Sequence, residues 1–343
     1  MGNSVRRPNE PQVVVITGAS SGIGRLTALA FAERGAAVVL AARRGEVLAE
    51  VAEQCVAIGG QAIAVPTDVG DADAVAAVAR RAVEHFGRID LWFNNAGVGV
   101  FGKLNAIPVA VWHRVIATNL LGAYHGARAV MPVFDRQGHG ILINNASIVG
   151  RIAKPDSTAY ATSKFAIRGL SEALRQELLD RPNIHVCTIL PSVIDTPFFE
   201  HAANYSGQRV RAAPPVYPPE RVVDAVLKLA RRPVAETIIG GAGKFAAAQK
   251  RIAPALTTRM TGRLLHRGFL ETQPAEDGPG ATLEPVRDGR GVTGGWRRLS
   301  GPLERSRPSP IMLGLLALPI LAVATRWMMR PDAGPSQGSH GDR

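Results

Sequence analysis

Tyr160 and Lys164 stand four apart in the stretch Tyr160-Ala-Thr-Ser-Lys164, and Ser147 lies upstream, just after the apolar run Ile141-Leu142-Ile143. On a helix, residues four apart share a face, so the spacing would set a phenol beside an ammonium. A free phenol titrates near pH ~10, and a fixed neighbouring cation favours phenolate, bringing proton exchange toward neutral pH. Ser147 would then hold the oxygen that receives the proton. A Tyr and a Lys at this spacing also occur on ordinary solvated helix faces, so the elements that position them decide the matter.

Those elements repeat. Val13-Val14-Val15-Ile16 is a β-branched run that meets Thr17-Gly18-Ala19-Ser20-Ser21-Gly22-Ile23-Gly24, and an apolar-periodic stretch follows through Arg34. The pattern predicts a buried parallel strand, a glycine turn and a helix. Gly18, Gly22 and Gly24 would let the backbone turn tightly and approach a pyrophosphate, with Ser20, Ser21 and Ile23 in the same turn and the helix N-terminus favouring the negative charge. A second strand, Ala36 to Ala42, ends in Arg43-Arg44. In a dinucleotide fold this strand end meets the adenosine ribose, where an acid suits a free 2′-hydroxyl and an arginine suits a 2′-phosphate. Two arginines stand there and no acid, which points to NADP(H); a pair of solvated helix-start arginines is the alternative reading.

The alternation continues with a helix to about Ala57, a strand from Ala62 to Val65, and Asp68-Val69, where the carboxylate would accept from the adenine amino group. A helix from Asp71 to His85 and a strand Leu91-Trp92-Phe93 lead into Asn94-Asn95-Ala96-Gly97. Asn119 falls in a helical stretch between Val109 and Val130. Beyond the Tyr160 helix, a strand from Ile184 to Leu190 ends in Pro191-Ser192-Val193-Ile194-Asp195-Thr196-Pro197. Phe198 to Pro219 lacks a clean period and is read as a loop or lid over substrate. A helix from Pro219 to Arg231 and a strand Thr237-Ile238-Ile239 complete the pattern. The fold class is therefore α/β, a Rossmann-like doubly wound parallel sheet, with ligands expected at the carboxyl ends of its strands.

Composition narrows the partners. Cys55 and Cys187 form neither a disulfide framework nor a C-x-x-C pattern, and the eight histidines include no H-E-x-x-H, so the sequence implies no metal site and a reducing setting. His201 is the histidine expected nearest a substrate. The net charge of +12 does not signal nucleic acid, because the arginines are dispersed among Gly and Pro without a recognisable nucleic-acid module. Met1 to Pro11 carries no apolar core of signal-peptide length.

With the glycine turn 17–24, Asn94-Asn-Ala-Gly97, Asn119, Ser147, Tyr160 and Lys164 in this order and spacing, the chain resembles the short-chain dehydrogenase/reductase family over about residues 11 to 240. The resemblance implies Tyr160 as acid/base, Lys164 lowering its pKa and binding the nicotinamide ribose, Ser147 orienting the reacting oxygen, and Asn119 supporting a water-linked proton path. Asn94 to Gly97, with Asn95, Ala96 and Gly97 as cofactor contacts, would lie beside the adenosine half, and the stretch Pro191 to Thr196, with Pro191, Val193 and Thr196 as contacts, over the nicotinamide. Ser192 stands where the family usually has glycine. The implied activity is hydride transfer between NADP(H) and a carbonyl or secondary alcohol, with a homodimer or homotetramer formed through the Asn119 and Tyr160 helices. A catalytically silent NADP(H)-binding sensor or scaffold is the alternative. Val98, Val100, Phe101, Leu104, Ile148, Ile152, Phe198, Phe199 and Tyr205 suggest a lipophilic substrate.

The sequence thus divides into a polar N-terminus (1–10), one catalytic domain (11–240), and a C-terminal tail. In the tail, residues 241–310 are rich in Gly, Pro and Arg, with an amphipathic helix expected over about Phe245 to Phe269 and a flexible linker from Gln273 to Pro310. Residues 311–329 are strongly apolar and would anchor the protein to a membrane, leaving the catalytic domain in the cytoplasm; docking on protein is the other reading. A polar tail (330–343) follows.

Overall fold

The computed structural model describes residues 11–299. The apolar run 311–329 and both polar termini lie outside them. Seven parallel strands form one sheet: β1 (Val13–Thr17), β2 (Ala37–Ala42), β3 (Gln61–Pro66), β4 (Leu91–Asn94), β6 (Gly140–Asn145), β7 (Ile184–Pro191) and β10 (Glu236–Ile239), in the order β10-β7-β6-β4-β1-β2-β3. The order runs outward in both directions from β1 and β4, as crossover helices on the two faces require.

Strand alternation supplies two cores. Val14, Ile16 and Leu40 pack against α1 (Gly22–Ala32), α2 (Gly45–Ala57) and α8 (Glu220–Arg231) on one face. Val15, Val39 and Trp92 pack against α3 (Ala72–Phe86) and α5 (Gly122–Gln137) on the other. Trp92 is wholly buried, and its truncation to alanine would cost about 3–5 kcal/mol. Asp71 starts α3 by accepting from the Asp73 and Ala74 amides, and Gly87 ends it in the left-handed region.

The helical stretch read between Val109 and Val130 is helical throughout, as α4 (Val109–Ile116), a π turn (Ala117–Leu121) and α5. Two expectations change. The stretch read as a loop from Phe198 contains α7 (Phe198–His201), β8 (Ala203–Tyr205) and β9 (Gln208–Val210). β8 pairs with β5 (Val100–Gly102), and β9 pairs antiparallel with β11 (Leu270–Pro274). The one helix expected over Phe245 to Phe269 is two, α9 (Gly241–Ile252) and α10 (Pro254–Gly268). Pro254 has no amide to continue the ladder and disfavours helical geometry before it, and Ala253 sits at φ −134°, ψ 70°.

The linker expected from Gln273 also has defined contacts as far as it is described. After β11 the chain crosses the carboxyl edge of the sheet and reaches α11 (Trp296–Leu299), where the Trp296 and Arg297 amides donate to the Asp195 carboxylate at 2.9 and 3.3 Å. Among the described residues no helix is long and apolar enough to cross a membrane.

Candidate active site

Ser147 follows β6 and caps a short turn (Ile148–Gly150), its Oγ accepting from the Val149 amide at 3.1 Å. The same hydroxyl lies near enough to the Tyr160 phenol to pull its pKa down, and both line the same cavity. Tyr160 and Lys164 lie on α6 (Thr158–Glu177), one turn apart, and the Lys164 ammonium sits 5.5 Å from the tyrosine ring centroid. Lys164 Nζ donates to the Asn145 carbonyl at 2.7 Å. The three side chains expected to do chemistry therefore meet at one strand end.

Their electrostatics correct one expectation. Lys164 does not draw the phenol down here: burial pushes Tyr160 up to about 12, with only the neighbouring Ser147 hydroxyl pulling the other way. Burial likewise lowers Lys164 to about 7. A low-dielectric cleft penalises both charged forms, and that penalty exceeds what the cation offers across the ring.

Asn119 sits in the π turn, 1% exposed and outside the cavity wall. Its Oδ1 accepts from the Val98 amide at 2.8 Å, while Nδ2 donates to the Val98 carbonyl and to Ser163 Oγ, each at 3.0 Å. The side chain pins the β4–β5 loop to α6, so its observed work is positional.

A cavity of about 360 Å³ runs from this trio along the carboxyl ends of β6, β4, β1 and β2. Gly18, Ser20, Ser21, Gly22, Ile23, Arg43, Arg44, Asp68, Val69, Asn95, Ala96, Gly97, Pro191, Val193 and Thr196 line it with Ser147, Tyr160 and Lys164. Gly24 does not; a Cβ there would come within 2.2 Å of the Gly18 carbonyl oxygen, so its smallness serves the packing of turn and helix. Gly18, at φ +66°, brings its Cα toward Ala96, where a Cβ would meet Ala96 Cα at 2.8 Å. Asn95 Nδ2 clips this turn by donating to the Thr17 and Gly18 carbonyls at 3.0 and 3.3 Å. Asn94 faces away, bonded to Trp92, Ala123 and Asn144.

The tail closes the far end of the cavity. Residues 275–295 form a strap whose carbonyls face the two arginines: Arg43 donates to Ala281, Thr282 and Leu283, and Arg44 to Val286 and Asp288. Arg44 also reaches Ser20 Oγ at 3.1 Å. The Gly22 amide in the glycine turn donates to the Gly291 carbonyl at 3.0 Å. Ala281, Pro285 and Val286 line the cavity from the strap side. Burial, with neighbouring arginines, lowers both guanidinium pKa values. Asp68, expected to receive an adenine amino group, is ion-paired with Arg114 and accepts from the Gly70 amide at 2.9 Å, and these bonds hold its carboxyl below the usual range.

This cleft fits a dinucleotide. Its glycine turn has no room for side chains, cationic groups stand at both ends, and two buried polar atoms on lining residues, Asn145 Oδ1 and Ser192 Oγ, have no hydrogen-bond partner among the described residues. Among the same residues no His/Cys/Asp/Glu cluster could hold a metal ion.

Toward α6 aromatic side chains line the cavity. Val98, Phe101, Ile148, Ile152, Phe198 and Phe199 line it as expected, and His201 lies at its edge with Nε2 3.1 Å from the Asp288 carbonyl. Leu104 is 65% exposed instead, while Val100 and Tyr205 belong to a separate cluster beside β5 and β8. Two contributors carried no signal in the sequence: Phe269 from the tail, and Lys154, a lone lysine between Ser147 and Tyr160.

Residues 12–205 match the short chain dehydrogenase family. The oxidoreductase YxnA of Bacillus subtilis is 35% identical over 319 residues, covering 91% of this chain and 90% of its own length. A match of that extent reaches past the sheet into the tail. An alcohol dehydrogenase from the archaeon Thermococcus sibiricus, solved with 5-hydroxy-NADP, has a TM-score of 0.59 at 28% identity, covering 67% of this chain and 96% of that one. A short chain dehydrogenase/reductase from Burkholderia phymatum, solved with NAD, has a TM-score of 0.65 at 27% identity, covering 72% and 95%.

Proposed function

Since the chain belongs to the short chain dehydrogenase family, we propose that it is an NADP(H)-dependent oxidoreductase acting on a carbonyl or secondary alcohol with an apolar body. The observation that carries this reading is that Ser147, Tyr160 and Lys164 line one cleft together with the glycine turn. The bound cofactor supplies the hydride. Everything else is the chain's own work.

Ser147 and Tyr160 place two hydroxyls on one carbonyl oxygen, stabilising the negative charge that develops there during reduction. Tyr160, held protonated by burial, gives its proton to that oxygen. In the reverse direction it takes the proton back. Lys164, fixed by the Asn145 carbonyl, lies where it would hold ribose hydroxyls, and Asn119 keeps the Val98 loop in register with α6. Pro191, Val193 and Thr196 form the wall opposite.

Arg43 and Arg44 support NADP(H) over NAD(H). Both guanidiniums are already bonded to strap carbonyls, so a 2′-phosphate would enter by exchanging neutral acceptors for a charged one, and charge-assisted bonds are roughly twice as strong. Self-association fits the exposed apolar residues Leu121, Tyr124 and Phe165 around the π turn, α5 and α6. Ile167, by contrast, is 2% exposed and belongs to the core.

A panel of ketones and aldehydes, read by NADPH oxidation, tests the reading. Turnover that disappears in Tyr160→Phe is expected; NADPH binding without turnover of any compound would make the protein a silent cofactor binder.

A further inference from the structure

Lys154 occupies an unusual place for a lysine. It is 8% exposed, it lines the same cavity as Tyr160, and its ammonium lies 4.3 Å from the Phe101 ring centroid and 4.8 Å from that of Phe269. Its one hydrogen bond among the described residues goes to the Pro155 carbonyl, its own neighbour, at 3.2 Å. An ammonium has three donors, and lysine is almost never this buried unless paired. No described carboxylate lies within ion-pairing distance of it; Asp156 acts only at longer range.

An unbroken aromatic wall leads from the reacting end to this lysine. Tyr160 and Phe198 have ring centroids 5.4 Å apart, Phe198 and Phe199 another 5.4 Å, and Phe199 and Phe101 6.3 Å. Phe101 then carries the Lys154 ammonium. A ligand with its carbonyl on Ser147 and Tyr160 would lay an apolar body along these rings and end at a cation. Among the described residues lining the cavity the sole acid is Asp68, at the adenosine end and already paired with Arg114. Asp156, two residues on, is the carboxylate in electrostatic range of Lys154, and it does not line the cavity.

We propose that Lys154 is a specificity-determining residue that binds a carboxylate at the far end of the substrate, so that the substrate class is a lipophilic oxo acid or hydroxy acid. This rests on the oxidoreductase reading of the same cleft. Burial lowers free Lys154 to about 7, so near neutral pH the free enzyme holds a mixture of amine and ammonium. An arriving carboxylate favours the ammonium, and its binding takes up a proton. The aromatic rings already stabilise that charge through their quadrupoles, which lessens the cost of holding it before the acid arrives.

The test compares a medium-chain methyl ketone with its ω-carboxylate analogue as substrates of the full chain with NADPH, in wild type, Lys154→Met and Lys154→Arg. Wild type is expected to favour the oxo acid. In Lys154→Met the ratio of kcat/KM for acid over neutral ketone should fall by about 10- to 100-fold, the range for a lost hydrogen bond to a charged group. The loss should appear in KM more than in kcat, and Lys154→Arg should restore part of it. Wild-type KM for the acid, but not for the ketone, should rise as pH increases past about 7. A wild type that prefers the neutral ketone, or a Lys154→Met that lowers both substrates alike, overturns the assignment while leaving the oxidoreductase reading intact. Absence of turnover with either compound, while other carbonyls are reduced, also overturns it. Absence of turnover with every carbonyl would defeat the underlying reading itself, and a carboxylate site with it.

Discussion

The Lys164 ammonium faces the Tyr160 ring from 5.5 Å while its hydrogen bond is spent on the Asn145 carbonyl. The lysine is therefore aimed by β6 and not by the phenol, and the two residues should fail differently when changed. Tyr160→Phe keeps the ring and loses the exchangeable proton, so kcat should fall by about 10²- to 10⁴-fold with NADPH affinity retained. Lys164→Met should impair both rate and cofactor affinity. Fluorescence titration beside steady-state kinetics separates the two, and near wild-type turnover by Tyr160→Phe would remove the tyrosine from its role.

Arg43 should decide cofactor preference. In Arg43→Asp the 2′-phosphate meets repulsion in place of a charged donor, and the NADPH/NADH ratio of kcat/KM should drop by at least about 10-fold. The variant also releases three strap carbonyls, which would affect both cofactors, so the ratio is the quantity to read. A wild type that works better with NADH at equal concentration would count against NADP(H).

The strap should report cofactor binding directly. Arg287 and Arg290 are exposed within it, open to trypsin, and Ala281, Pro285 and Val286 of the same segment line the cavity. NADPH filling that space should slow cleavage at both arginines. Unchanged or faster cleavage would mean the strap does not cover the bound cofactor. Glu50→Gln should change little, because its 3.3 Å ion pair with Arg290 is about half exposed on each side and such pairs contribute about 0–1 kcal/mol.

Stability should depend on pH through the buried lysines. Lys154 and Lys164 fall from their usual 10.5 to about 7 on folding. Below 7 both states are charged and the burial penalty is full. Between about 7 and 10.5 the unfolded chain holds protons that the folded one has released, so their contribution to stability rises with pH. Cys55 and Cys187, pushed up from 9.0 to about 11, act in the opposite sense above pH 9, so a difference measurement is needed. Lys154→Met should be more stable than wild type at pH 7 in urea unfolding of the cofactor-free protein. That gap should narrow as pH approaches 10; a constant gap would refute the shift.

What could be read from the sequence was whatever residue type itself encodes. The β-branched run at Val13 and the bulky apolar run at Leu91, the glycines that no side chain can replace, and Tyr160 with Lys164 at helical spacing carry their structural meaning locally. β8 and β9 are three residues each, too short to show a period, and they are held by pairing with β5 and β11, which are distant in sequence. Lys154 belongs to no pattern. Its significance comes from Phe101 and Phe269, one before it and one far after it in the chain. The strap read as a flexible linker because its partners for Arg43 and Arg44 are backbone carbonyls, which every residue possesses and no composition reveals. The lowered phenol pKa failed for a related reason: side-chain spacing places a cation nearby but says nothing of the solvent removed around it.

The strap is stitched at both ends, by β11 against β9 and by the Trp296 and Arg297 amides on Asp195. With both ends held, the strap opens by releasing its middle from Arg43, Arg44 and the Gly22 amide and bowing outward. Cofactor exchange then waits on an event with no chemical bond change in it, and where such opening is slower than proton and hydride movement it sets the turnover rate. Rapid mixing of preloaded enzyme with substrate would show an initial burst equal to the enzyme concentration, followed by a slower steady phase. Weakening Asp195 by Asp195→Asn should speed the steady phase and leave the burst as it was.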